Sequence, residues 1–201
     1  GGKARTVAVE SRRQGWGALQ LGCSITRRPL CVAGKTWECG FGAHAASEIV
    51  LRATAPVSRF KALVGWDDNL ETRNAKPGNR MIFSVKAGGA TLWKSEPVAL
   101  GDAAVPVDVA LPGGTTEVVL EVVTSDGATH YAHADWVGVA LTFEAGGRWT
   151  PSSGGLAMQA VPPVAPFSFD YDARPSAALL PNWTMRNGKP LKKGRRVVHA
   201  T

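Results

Sequence analysis

This chain of 201 residues lacks the features that would mark a membrane protein or a helical one. No run reaches the eighteen or so apolar residues that a membrane-spanning helix needs, so no membrane partner is expected. No segment repeats its apolar residues at the 3.6-residue period of an amphipathic helix. The hydrophobic content of 44% is nevertheless enough for one buried core. No charged-then-apolar leader opens the chain, and we expect either a leader that has been removed or a piece excised from a longer protein.

Cysteine is also scarce, with Cys23, Cys31 and Cys39 at eight-residue intervals. An odd number cannot form a closed disulfide framework. The spacing lacks the closely spaced cysteine pairs of a zinc site. A bridge between two neighbouring cysteines across a hairpin and a set of buried free thiols both stay open.

Acidic residues are absent from the last nineteen positions, which hold six basic ones and so account for most of the formal charge of +7. The first 182 residues carry 17 basic and 16 acidic groups and are close to neutral. A neutral body offers no extended basic face to follow phosphates, so no nucleic-acid partner is expected. The basic end is interpreted as a solvated tail, the edge of a further domain or a basic arm.

What the chain does contain is a series of short segments rich in Val, Ile, Leu and Thr, bounded by Gly, Pro, Asn and Asp. Val105, Val107 and Val109 alternate with other residues, which is the period of a half-buried antiparallel strand. Turn signals every 8–12 residues favour a jelly-roll β-sandwich. Strands are predicted over residues 6–10, 19–26, 37–42, 48–53, 60–66, 81–86, 91–94, 105–111, 117–124 and 136–143.

Glycine and proline become frequent after about Phe143, which indicates a change of organisation. We predict a β-sandwich domain over residues 5–144, a linker over 145–166 and the start of a truncated following domain over 167–201. The chain beyond the sandwich is expected to form an extended C-terminal arm.

Three segments together identify a family. Residues 35–49 (KTWECGFGAHAASEI), 60–69 (FKALVGWDDN) and 133–136 (HADW) closely resemble the NPCBM family, carbohydrate-binding module family 51, in order and spacing. The resemblance covers roughly residues 5–144. It implies a galactose-binding-domain-like all-β sandwich that is non-catalytic, is attached to a bacterial glycoside hydrolase, binds galactose or galactose-terminated glycans and often holds a structural calcium. It also implies an extracellular or periplasmic location.

Residues 166–183 resemble the opening of the N-terminal β-domain of melibiase-type bacterial α-galactosidases. This second resemblance implies that the attached hydrolase splits terminal α-galactosyl residues while the module holds the glycan.

Sugar recognition needs an aromatic surface for the C–H face of the ring and polar side chains for its hydroxyl groups. Asp67 and Asp68 end a predicted strand, where one carboxylate can bind the sugar or a cation while the other ties down the loop; a turn cap with no ligand is the alternative. Trp37 and Trp136 are either core residues or aromatic platforms for the sugar ring. The predicted ligand-binding residues are Trp37 as an apolar wall, His44, Glu48, Asp68 and Asn69.

His133 and Asp135 lie two apart on one predicted strand and therefore share a face. Together with Asp67 they are predicted to form a structural polar network, in which a buried His44 is bonded to a carboxylate such as Asp135. Direct contact of His44 with sugar is the alternative.

Catalysis by the chain itself would need two carboxylates in a cleft, for which Glu48, Asp67, Asp68 and Asp135 are available. No nucleophile elbow, P-loop, zinc-protease or dinucleotide motif is present. The alternatives to a carbohydrate-binding module are therefore a protein–protein docking domain on the same fold or a part of a glycosidase with a catalytic role.

Overall fold

The computed structural model describes residues 4–75 and 78–151. These residues form fourteen strands and one short 3-10 helix, Thr72–Asn74. The strands are β1 (Val7–Arg13), β2 (Gln20–Leu21), β3 (Leu30–Val32), β4 (Lys35–Trp37), β5 (Gly40–His44), β6 (Ser47–Ala53), β7 (Val57–Trp66), β8 (Arg80–Ala87), β9 (Ala90–Lys94), β10 (Val98–Ala99), β11 (Val105–Ala110), β12 (Glu117–Thr124), β13 (His133–Phe143) and β14 (Arg148–Trp149). The predicted all-β sandwich is confirmed.

Two antiparallel sheets face each other. The first sheet has the order β1-β6-β12-β8-β10, with β9 also paired to β8. The second has the order β11-β7-β13-β5-β2, with β14 also paired to β13. Alternate residues of each strand point into the space between the sheets, which is why Val118, Leu120 and Val122 of β12 are buried. The largest side chains of this core are Phe41, Phe60, Phe83, Trp136, Ile49, Leu51, Met81, Leu120 and Leu141.

Part of the outer face of the second sheet is covered by residues 22–37, called here the covering segment, which ends in the hairpin of β3 and β4. Leu30 and Val32 of this hairpin pack on Val137 of β13 in a small second core. Glycines of the sheet allow the close approach. A Cβ on Gly42 would lie 2.4 Å from the carbonyl oxygen of Cys23, and one on Gly65 would lie 2.4 Å from Val32 Cγ1.

The sandwich extends past Phe143, because β14 pairs with β13 through Leu141 and Trp149. That strand lies inside the stretch predicted as a linker. The remainder of the linker and the predicted third region, residues 152–201, lie outside the described residues. No helix among the described residues is long and apolar enough to cross a membrane.

Candidate functional site

Four aromatic rings meet at one end of the second sheet, and we call them the aromatic–histidine site. His44 ends β5 and His133 begins β13, directly opposite each other in register, with ring centroids 5.4 Å apart. Trp16, from the connection between β1 and β2, lies 6.3 Å from His133 with the two ring planes nearly parallel, and Tyr131 lies 6.3 Å from the same imidazole. Trp16 is 58% exposed and Tyr131 36%, whereas the two histidines are nearly buried. The site therefore presents aromatic surface to solvent with imidazoles beneath it.

The connection that carries Trp16 is fixed to the end of β5. The amide of His44 donates to Gln14 Oε1 at 2.9 Å, and the amide of Gly15 donates to the carbonyl of His44 at 3.1 Å. Only glycine fits at position 15, since a Cβ there would lie 2.1 Å from the carbonyl oxygen of Ala45. These contacts hold Trp16 over the histidines.

Both imidazoles are uncharged at neutral pH. Burial lowers the pKa of His44, although the bond from its ring to the carbonyl of Ala45 opposes the shift. Burial and the neighbouring His44 lower the pKa of His133 to about 4, although Glu71 opposes the shift. A neutral imidazole can accept a hydrogen bond as well as donate one, so this pair can exchange hydrogen bonds with hydroxyl groups.

Asp67 and Asp135 form a buried carboxyl pair under the covering segment. Asp135 Oδ2 accepts from the amide of Cys31 at 3.2 Å, and Asp67 Oδ2 accepts from the side-chain amide of Asn69. Burial raises the pKa of Asp67 to about 7 and raises that of Asp135 strongly, and the proximity of Asp67 adds to the shift of Asp135. One oxygen of each carboxyl group has no hydrogen-bond partner among the described residues. Both side chains are fully buried, so the pair lies in no open cleft.

The expected bond between His44 and Asp135 is not formed. His44 lies opposite His133, whereas Asp135 lies opposite Gly42 and reaches the covering segment instead. The His44 ring bonds the carbonyl of Ala45 at 2.7 Å. The register of the two strands thus separates the imidazole from the carboxylate.

The five predicted ligand-binding residues do not gather in one place. Trp37 packs on Leu30 and Val137 near the middle of β13, and the ammonium of Lys35 lies 4.2 Å from its ring centroid. Glu48 projects from the outer face of the first sheet and pairs with Arg12 at 3.4 Å. Of the five, the structure places His44 alone in the aromatic–histidine site.

Asp68 and Asn69 lie in the loop that follows β7. The amide of Asp68 donates to the carbonyl of Cys31 at 2.7 Å, and its side chain is half-buried. Asn69 is buried, and its Oδ1 accepts from the amide of Glu71 at 2.9 Å, so it caps the turn that precedes the 3-10 helix. Their ligand-binding roles stay predictions, as do those of Trp37 and Glu48.

A shallow cavity of about 440 Å³ lies beside the site. It is lined by residues of β1, of the connection to β2 and of β2 itself, including Val9, Leu19 and Leu21. The two arginines in its wall, Arg12 and Arg13, already pair with acidic side chains of the first sheet. Because the cavity has no aromatic surface, the aromatic–histidine site suits a sugar better.

Among the described residues, no group of three or more His, Cys, Asp or Glu side chains gathers to hold a metal ion. The carboxyl pair supplies two such groups, so the side chains do not by themselves make a calcium cage, and calcium stays an untested expectation. Cys23, Cys31 and Cys39 are free thiols, and all three are half-buried.

Sequence reasoning missed Trp16, Tyr131 and Glu71. Tyr131 carried a signal, because it stands between His130 and His133, just before the motif at residues 133–136. Its φ of 52° is rare for a bulky residue and indicates a constrained turn. Trp16 carried none, since only the long-range contact with β5 brings it to the histidines.

The chain is thus a small β-sandwich module. Its two antiparallel sheets face each other, and exposed aromatic rings and histidines lie together at one end of the second sheet. The chain belongs to the NPCBM family, since residues 3–142 match the NPCBM/NEW2 domain.

Two curated relatives come from bacteria. One, from Renibacterium salmoninarum, is named as an endo-alpha-N-acetylgalactosaminidase and is 34% identical over 108 residues, which is 54% of this chain. The other, an alpha-1,3-galactosidase B of Akkermansia muciniphila, is 30% identical over 131 residues, which is 64% of this chain. The matched regions are 7% and 16% of those proteins, so the similarity is to one module of much longer chains.

Solved structures show the same fold. A CBM51 module of a Clostridium perfringens GH95 protein, in complex with methyl-galactose, matches with a TM-score of 0.55 at 20% identity over 70% of this chain and 93% of that one. A CBM51-2 module with INT domains from Clostridium perfringens ZmpB matches with a TM-score of 0.57 at 20% identity, over 74% of this chain and 30% of that one. The described sandwich is therefore a CBM51 fold.

Proposed function

We propose that this chain is a non-catalytic carbohydrate-binding module whose aromatic–histidine site holds a terminal galactose residue. The observation that carries the proposal is the pairing of exposed Trp16 and Tyr131 with the nearly buried histidines His44 and His133. Galactose has an apolar patch of C–H groups on one face and hydroxyl groups around its edge. An aromatic ring suits the first, and neutral imidazoles suit the second.

The similarity to modules of glycosidases supports a tethering role. We propose that the module acts outside the bacterial cytoplasm and holds an attached glycoside hydrolase, of the α-galactosidase type, on galactose-bearing glycans. Each hydrogen bond to a sugar replaces one to water and gains only about 0.5–1.5 kcal/mol, so the affinity for a single sugar is expected to be in the micromolar to millimolar range. Attachment to an enzyme working on the same glycan compensates for weak binding.

Isothermal titration calorimetry with methyl α- and methyl β-galactoside tests this proposal through two tryptophans. Trp16→Ala should weaken binding at least tenfold with little loss of thermal stability, because the side chain is more than half exposed. Trp37→Phe is the matched control: it changes the tryptophan of the β3–β4 hairpin, so binding should persist.

Loss of binding in Trp37→Phe but not in Trp16→Ala would move the site to the β3–β4 hairpin. If the parent protein binds neither galactoside, nor any galactose-terminated glycan on an array with calcium present, the docking-domain alternative replaces this proposal.

A further inference from the structure

The hydrogen-bonding state of His44 is fixed by the backbone. Its Nδ1 lies 2.7 Å from the carbonyl oxygen of Ala45. A carbonyl oxygen can only accept, so Nδ1 must carry the proton and donate it. In the neutral imidazole the other nitrogen, Nε2, is then an acceptor. No hydrogen bond to Nε2 is formed by the residues that the structure describes.

The backbone on both sides of His44 is held as well. Its amide donates to Gln14 and its carbonyl accepts from Gly15. The ring is enclosed by Trp16 at 6.0 Å and His133 at 5.4 Å, measured between ring centroids. An imidazole held this way cannot readily turn over to present Nδ1 instead.

From this geometry we infer that His44 is the hydrogen-bond acceptor of the aromatic–histidine site, taking a ligand hydroxyl proton on Nε2, and that protonation of His44 releases the ligand. The inference deepens the proposed function and rests on it. Protonation places a second N–H at Nε2 and abolishes the acceptor. It also puts a positive charge on a ring that is 5% exposed and that a bound neutral sugar would seal from water, which opposes binding.

The charged and titratable groups around His44 set the pH at which it is protonated. His130, which precedes β13, lowers the pKa of His44, and Glu71, after β7, acts to raise the pKa of the neighbouring His133. Glu71 is paired with Arg28 at 3.0 Å. The β1–β2 connection contributes Gln14 and Trp16, which are uncharged, and Arg12 and Arg13 before it pair with Glu48 and Glu121. Asp67 and Asp135 lie under the covering segment, where burial raises the pKa of each.

Two measurements on the same protein test the inference. The first is a ¹⁵N–¹H long-range NMR spectrum of the imidazoles without sugar, which should show His44 with its proton on Nδ1 at pH 7.5. A proton on Nε2 would overturn the inference, whatever the protein binds. The second is the dissociation constant for methyl galactoside between pH 7.5 and pH 4.5, which should rise by up to tenfold per pH unit once His44 titrates.

Two variants separate a binding role from a structural one. His44→Gln places an amide oxygen near the position of Nε2 without a titrating group, so at pH 7.5 it should bind measurably but more weakly than the parent, and its binding should not depend on pH. His130→Asn changes an exposed histidine that precedes the site and should keep the pH dependence, moved slightly to higher pH because His130 lowers the pKa of His44.

Binding that is flat while NMR shows His44 titrating overturns the inference and leaves the proposed function standing. Absence of any galactoside binding at pH 7.5, in a folded protein, defeats the proposed function, and the inference falls with it.

Discussion

Polar side chains have opposite environments on the outer face of the first sheet and on the part of the second sheet that lies under the covering segment and Trp16. On the first sheet, charged residues of neighbouring strands pair across the surface, as Arg12 does with Glu48 and Lys86 with Glu121, the latter at 2.7 Å. On the second sheet, polar groups are buried under the covering segment and Trp16, and His133 Nδ1 and one oxygen each of Asp67 and Asp135 have no partner among the described residues. Buried polar groups without partners cost stability.

This difference indicates which face of the sandwich carries the candidate binding site. Exposed ion pairs contribute little individually to stability and are easily replaced, so the outer face of the first sheet is an ordinary solvated surface. Unsatisfied buried groups tend to occur where function requires them, and the three on His133, Asp67 and Asp135 lie at and beneath the end of the sheet that carries the aromatic–histidine site. The predictions that follow test whether the covered face is the constrained one.

The largest effect is expected from adding one carbon beneath the covering segment. Gly42→Ala would place a Cβ 2.4 Å from backbone atoms of Cys23 and Ser24, so the segment must move. We expect a loss of about 2–3 kcal/mol in the free energy of unfolding, measured by urea denaturation. Gly113→Ala is the control, since nothing lies within 4 Å of its added carbon. Equal stability of the two variants would show that the covering segment is loosely packed on the sheet.

The next effect concerns the carboxyl pair. The folded pKa of Asp67, about 7, lies above its ordinary value of 3.8, so the folded state keeps a proton that the unfolded state loses. This contribution is therefore fully present at low pH and is lost as pH rises from about 4 through about 7, by at most about 1.4 kcal/mol per pH unit.

His44 and His133 act oppositely, because their pKa values are lowered and their contribution is lost as pH falls below 6.5. Comparison with a variant separates the two effects. The stability of Asp67→Asn relative to the parent should rise between pH 5 and pH 8, as followed by thermal unfolding. A difference that stays constant with pH would mean that Asp67 is ionised in the folded protein throughout.

The strands of the sandwich were predictable where apolar and polar residues alternate over six or more positions. The strand predicted over 117–124 matches β12, and the one over 105–111 matches β11 to within a residue. Their alternation is imposed by one buried face and one open face, which a sequence displays directly.

The covering segment was not predictable in the same way. A strand was expected over residues 19–26, but β2 ends at Leu21 because Gly22 turns the chain with a φ of 70°. The β3–β4 hairpin was missed because its strands have three residues each, and its two-residue turn has Ala33 at a φ of 50° where Asn or Asp is usual.

The types of residue in the candidate site could be predicted from the sequence, but which individual residues form the site could not. Histidine at the ends of β5 and β13 was identified from sequence, since polar residues at strand ends are unusual. Whether a tryptophan joins them depends on packing between distant segments, and the structure selects Trp16 over Trp37. Period-2 patterns carry no information on such contacts.

The smallest effect is expected on the outer face of the first sheet. Glu48 was predicted from sequence to line the sugar pocket, yet the structure places it in an exposed ion pair with Arg12. Glu48→Gln should therefore change the free energy of unfolding by less than about 1 kcal/mol, less still in high salt, and leave the affinity for methyl galactoside unchanged.

Glu121→Gln is the matched comparison. Glu121 is less exposed than Glu48, and it meets Arg13, Lys86 and the hydroxyl of Ser84, so its loss should cost more stability and equally little affinity. Urea denaturation and calorimetry on both variants measure the two quantities. If Glu48→Gln abolishes sugar binding while Glu121→Gln does not, a charged residue on the outer face of the first sheet contacts the ligand. The binding pocket would then reach across to the first sheet, and the contrast between the two faces would fail.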